Sequence, residues 1–181
     1  MSPRESIDRQ RIRQFLDELS KRFRRPVRIY LVGGSTLVYE ELRDQTLDID
    51  LAIDVAPEDH GVLMSAIREL KETLSVNVEE ASPADFIPLP AGHDLRHIFV
   101  ARFGEIDVFH FDPYSTALSK IERGQTQDFE DVLALLESET IAWDRLVECY
   151  AEIRPRIGAE SLKQDPVEFE RNFRALERMR H

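Results

Sequence analysis

The sequence predicts a mixed α/β front half, a mixed sheet flanked by helices, followed by a C-terminal helical bundle. Three observations predict it. Short β-branched or aromatic runs, "VRIYLV" (27–32), "LDIDLAID" (47–54) and "VNVEE" (76–80), alternate with helically spaced stretches. After Asp112-Pro113 the apolar period becomes 3.6 residues and stays there. With 181 residues and 42% hydrophobic composition, the chain can bury a real core. The expected division is an α/β core over 1–112 and a helical region over 113–181 packed on it.

Each element has its own signal. "SIDRQRIRQFLDELSKRF" carries Ile12, Phe15, Leu16, Leu19 and Phe23 at helical spacing, and Pro26 stops that helix. "VRIYLV" reads as a buried strand running into the Gly33-Gly34 turn. "STLVYEEL" follows as a short helix with Ser35 as its expected N-cap. "LDIDLAID" alternates as a strand does. Pro57 and two acids open a longer helix reaching Leu74, and "VNVEE" is a short strand. The proline-rich stretch 81–95 reads as loop. "HIFVARFGEIDVFHF" reads as a hairpin turning at Gly104-Glu105. Four helices follow, with Asp112 as N-cap before Pro113, Gly124 as C-cap, and Asp165-Pro166 opening the last.

Net charge is −11, which argues against broad, unspecific binding of nucleic acid, because that needs basic surface. The charged N-terminus holds no apolar leader and no run is long enough to span a bilayer, so a cytoplasmic protein with no membrane partner is expected. Cys149 falls in a helical pattern and reads as a small core residue.

Candidate chemistry centres on "GGSTLVYEELRDQTLDID" (33–50). The Asp48/Asp50 spacing alone decides nothing. On a strand, however, residues i and i+2 project to one side, about 7 Å apart at Cα. Two carboxylates that close disfavour each other's ionised form, and a divalent cation removes the conflict. Hard oxygen donors suit Mg²⁺ or Mn²⁺. Asp107, flanked by Ile106, Val108, Phe109 and Phe111, is a third candidate, since an ionised carboxylate in so apolar a strand needs a partner. If its strand neighbours the one bearing Asp48 and Asp50, the three come within range of a two-metal site. Gly33 and Gly34 let the backbone approach a ligand, and Ser35 stands at a helix mouth where N–H groups favour an anion. Together these features point to a nucleoside triphosphate with its metal.

These residues carry a resemblance. "LVGGSTLVYEELRDQTLDIDLAI" resembles the core motif of the DNA-polymerase-beta-like nucleotidyltransferase superfamily. "FDPYSTALSKIERGQTQDFEDVLALL" looks like the helical continuation of its small bacterial branch, related to the abortive-infection nucleotidyltransferase toxins. The similar segments run over residues 27–136. The resemblance implies a nucleotidyltransferase-type sheet, a triphosphate held at Gly34 and Ser35, metals on Asp48 and Asp50, and Asp107 as the third acid. Lys120, Arg123, Asp128 and Asp131 match the second motif. From their spacing, Lys120 and Arg123 either reach phosphate or form a helix–helix ion-pair set with Asp128 and Asp131.

Other features read as structural. The basic "KRFRRPVR" (21–28) reads as a solvated helix end, His93 and His97 as surface histidines, His110 as packing, and Trp143, Leu146 and Tyr150 as core contacts. The expected function is metal-dependent transfer of a nucleotidyl group from an NTP to an RNA, small-molecule or protein acceptor. The alternative is a non-catalytic binding protein of the same fold, such as a toxin–antitoxin or phage-defence partner with a cognate protein.

Overall fold

The computed structural model describes residues 5–161 and 163–180. The chain divides into two compact units, residues 1–81 with 98–111, and residues 82–97 with 112–181. The sequence reading kept 82–97 with the front half. Instead that loop belongs with the helices, because its hydrogen bonds go there: the Ala91 N–H donates to Glu152, Arg156 donates to the Leu89 carbonyl, and Gln164 donates to the Phe86 carbonyl.

The first unit holds a five-stranded mixed sheet ordered β3-β2-β1-β5-β4. Its elements in chain order are α1 (Arg9–Arg22), β1 (Val27–Leu31), α2 (Gly33–Tyr39), β2 (Asp48–Val55), α3 (His60–Thr73), β3 (Asn77–Glu80), β4 (Ile98–Phe103) and β5 (Ile106–His110). β2 runs antiparallel to β1, whereas β5 runs parallel to β1 and β3 parallel to β2. Alternation decides which side chains go inward. Ile29 and Leu31 of β1, Ile49 and Leu51 of β2, and Ile106 and Val108 of β5 all enter one core with Phe15 and Leu19 of α1 and Leu63 and Leu70 of α3. Each such burial contributes roughly 1.5–3 kcal/mol before entropy is counted. Asp48, Asp50, Arg28, Tyr30, Asp107 and Phe109 consequently occupy the opposite face.

α1 starts where expected, with the Asp8 carboxylate accepting from the Arg11 N–H at 2.9 Å. Just upstream, Ile7 is buried and forms a two-way backbone bridge with Thr46. Gly104 turns the β4–β5 hairpin with φ +57°. α2 differs from expectation, because it begins at Gly33, not after Ser35. Ser35 lies inside the helix, fully buried, and caps nothing.

The second unit holds α4 (Pro113–Arg123), α5 (Thr126–Glu137), α6 (Trp143–Ile153) and α7 (Pro166–Met179). Asp112 caps α4 as its Asp-Pro context requires, accepting from the N–H groups of Tyr114 and Ser115. Arg96 adds a two-pronged bond to the same carboxylate at 3.0 and 2.9 Å. α4 ends at Gly124 with φ +66°, where a Cβ would stand 2.3 Å from Asn172 Nδ2. That amide donates to the Ile121 carbonyl at 2.9 Å, so α7 closes the C-terminus of α4. Phe173 stacks on Trp143 and, at 3.8 Å, on Tyr150, which agrees with the core reading of both. Cys149 is buried, and burial pushes its thiol pKa up.

Candidate functional site

Strand alternation puts Asp48 and Asp50 side by side on the sheet face away from the core, both half-buried. Two further residues join them. β3 pairs parallel with β2 so that Asn77 stands opposite Asp48 and Glu79 opposite Asp50. The Asn77 amide donates to an Asp48 oxygen and, at 3.0 Å, to Glu79 Oε1. One amide thus ties together two carboxylates on neighbouring strands. Glu79 is exposed.

The glycine turn meets this face from β1. Gly33 takes φ +59°, and a Cβ there would lie 3.1 Å from Asp50 Oδ2. A side chain at position 33 would be strained by the positive φ and would crowd the second aspartate. At Gly34 an added Cβ would meet Thr46 Oγ1 at 3.0 Å and an Arg43 guanidinium nitrogen at 3.1 Å. The turn is therefore narrow because an acid borders one side of it and a cation the other.

Ser35 has a different task from the one its position suggests. Its Oγ accepts the Asp50 N–H at 2.9 Å and donates to the Asp48 carbonyl at 3.4 Å. Being fully buried, it presents no surface to a ligand. Ser35 instead fixes the backbone of both aspartates against α2. Thr46 adds a bond to the Asp48 carbonyl at 3.3 Å.

His110 secures the other side of α2. Its ring contacts Thr36 Oγ1 at 3.2 Å and Glu40 Oε1 at 2.6 Å, while Thr36 donates to the Leu31 carbonyl at 2.8 Å. Burial lowers the imidazole pKa, with Glu40 opposing that shift. The histidine does more than pack, since it holds the helix that carries the glycine turn.

Asp107 does not join the pair. β1 lies between β2 and β5, so the strands expected to be neighbours are not. Register sets Asp107 opposite Arg28, which faces Asp54 on its other side. Asp54 lies four positions along β2 from Asp50, about 13 Å along the strand. Asp107 instead meets Arg102 at 3.7 Å. The apolar flanks of Asp107 reflect alternation and aromatic neighbours on its own face.

Among the described residues, no group of three or more histidine, cysteine, aspartate or glutamate side chains is gathered so as to hold a metal ion. Asp48 and Asp50 are two hard oxygen donors on one face. That number suits Mg²⁺, which takes one or two carboxylates and fills its remaining positions with substrate phosphate and water.

In the helical unit, Lys120 and Arg123 form the ion-pair set that was one of their two readings. Lys120 is 3% exposed, and its Nζ meets Asp131 at 2.7 Å and Asp128 at 3.7 Å. Arg123 pairs with Asp128 through two nitrogens. Gln127 and the Gln125 N–H supply further donors to the same acids. Motif residues on α4 and α5 thus bind those two helices together.

Sequence reasoning missed Asn77, Glu79 and Arg43. A signal for the first two was present, because strand–helix–strand order over 48–80 implies parallel neighbours. None of the described helices is long and apolar enough to cross a membrane. A family model described as a nucleotidyltransferase of unknown function (DUF6036) matches residues 10–178, and the chain belongs to that family. No curated protein and no solved structure matches it.

Proposed function

We propose that this chain transfers a nucleotidyl group from an NTP to an acceptor hydroxyl in a metal-dependent reaction. The observation that carries the reading is the closeness of the Gly33 turn to the Asp50 carboxylate, whose Oδ2 lies 3.1 Å from where a Cβ at Gly33 would stand, with Asp48 beside it. It joins a turn able to approach phosphate to a carboxylate pair able to hold a cation. When bound, Mg²⁺ or Mn²⁺ on Asp48 and Asp50 would neutralise the charge that develops on the transferred phosphate.

The chain's own residues supply the rest. Ser35 holds the backbone of both aspartates in place, so the pair is set before a ligand arrives. Arg43, beside Gly34, brings positive charge to the triphosphate. Glu79 replaces Asp107 as the third acid, because it shares a face and a register position with Asp50. Its role is to accept the acceptor's proton. A bond forms between the acceptor oxygen and the α-phosphorus, the α–β phosphate bond breaks, and pyrophosphate leaves. RNA, a small molecule and a protein side chain remain the acceptor classes, and a relation to the abortive-infection branch is part of the same proposal.

A second reading has one observation in its favour, the lack of a three-acid cluster among the described residues. On that reading the chain binds nucleotide without turnover, as one half of a toxin–antitoxin or phage-defence pair. Thermal unfolding with Mg²⁺ or Mn²⁺ and each NTP tests the common ground: the melting temperature rises for the wild type and not for Asp50→Asn. Pyrophosphate release from labelled NTP in cell extract then separates the two, and binding without release supports the second.

A further inference from the structure

Across the sheet face opposite the core, Ala52, Tyr30, Phe109 and Phe99 stand in one register row spanning β2, β1, β5 and β4. The rings touch in sequence. Tyr30 stacks on Phe109 at 5.5 Å between centroids, and Phe99 meets Phe109 edge-on at 5.6 Å. Phe111 closes on Tyr30 at 5.9 Å. Phe111 is buried, whereas Tyr30, Phe109 and Phe99 lie outside the hydrophobic core of the unit. Phe99 is 57% exposed on the outermost strand, with Ile98 beside it at 43%. Edge strands are usually protected by charge or cover, so an open phenyl ring there calls for a use other than stability.

The position of the row suggests that use. Ala52 follows Asp50 on the same face of β2, about 7 Å along the strand. Ala52 contributes only a methyl group, so nothing bulky stands on β2 between the acid pair and the rings. A ligand with phosphates at Asp48 and Asp50 can therefore extend a flat, uncharged group over the row. Asp54 and Asp107 on this face are accompanied by Arg28 and Arg102, so the rings, not a net charge, set what the row can take.

We infer that the row Tyr30–Phe109–Phe99 is a stacking platform for the base of the bound nucleotide, an inference that rests on the proposed nucleotide site. The Phe109 and Phe99 rings carry no hydrogen-bonding groups, and every base has a π-face. The platform therefore strengthens binding while discriminating weakly among the four bases, with purines favoured by their larger area.

Calorimetric titration of the full chain with Mg²⁺ and either an NTP or ribose 5-triphosphate isolates the base. The wild type is expected to bind the NTP about 5- to 100-fold more tightly than the base-free compound. Phe99→Leu keeps apolar volume and lowers NTP affinity severalfold, leaving ribose 5-triphosphate affinity unchanged. Phe99→Trp restores the difference, and Phe109→Leu repeats the loss. Equal affinity of the wild type for both compounds overturns the platform and spares the phosphate site. NTP binding unchanged in both leucine variants does the same. If neither compound binds the wild type, the nucleotide site itself fails and the platform with it.

Discussion

In the helical unit, Asp112, Asp128 and Asp131 are at most 2% exposed, and each carboxylate meets a cation as well as neutral donors. In the sheet unit, Asp48 and Asp50 are half-buried on the sheet face away from the core, where Asp48 accepts from the Asn77 amide and Asp50 Oδ2 borders the Gly33 turn. Asp128 and Asp131 form a D-x-x-D and Asp48 and Asp50 a D-x-D, spacings that look alike on paper. The first set is matched in charge by side chains of its own unit, as stability requires of buried ions. The second has been positioned through its backbone by Ser35 and Thr46, with its carboxylates left on an accessible face. Full burial holds the first set to the fold, whereas partial exposure leaves the second within reach of a ligand.

Lys120→Ala breaks the contrast most severely. It leaves Asp131 and Asp128 short of a buried cation and is expected to cost about 3–5 kcal/mol in denaturant unfolding. Lys120→Met, which keeps the stem, still loses most of that.

Gly124→Ala comes next, since the new methyl enters the space of Asn172 Nδ2 at a positive φ. A loss of about 2 kcal/mol is expected from strain and displacement together. Relief by the double variant Gly124→Ala, Asn172→Ala would sharpen the assignment to that contact.

A pH series gives a smaller effect. The Asp112 N–H donates to His97 Nδ1 at 3.0 Å, which needs that nitrogen unprotonated. Burial lowers the His97 pKa from its ordinary value of 6.5; Asp112 and Asp94 oppose the shift, while His93 and Arg96 reinforce it. The unfolded chain takes up the proton more readily, so stability present at neutral pH declines as pH falls through about 6.5. In His97→Gln the decline should be shallower, as read by melting temperature across pH.

The smallest stability effect belongs to Asp48→Asn and Asp50→Asn. Each should change unfolding free energy by less than about 0.5 kcal/mol, as partly exposed sites do, while abolishing the metal–nucleotide melting shift. A large destabilisation instead would place these acids with the structural set and erase the distinction between the units.

Much of this was legible in the chain. Asp112-Pro113 announced a capped helix, Gly124 its end, and the alternation of 47–54 the shared face of Asp48 and Asp50. Local chemistry writes such features into neighbouring residues. What failed was non-local. Ser35 has the composition of an N-cap, yet its partner is the backbone of a strand fifteen residues away. Asp107 looked stranded in an apolar segment because strand order, which places β1 between it and the pair, is set by sheet topology. Glu79 went unnoticed for the converse reason, since nothing beside it in sequence is distinctive and only its register with Asp50 gives it meaning.

The bridge between Ile7 and Thr46 has a practical side. Thr46 stands two residues ahead of the first aspartate and bonds its carbonyl, so the leading stretch of chain is wired into the strand that carries the acids. A rigid purification tag or fusion partner joined close upstream of Ile7 would tug on that strand, and activity assays are better served by a long spacer or by tagging elsewhere.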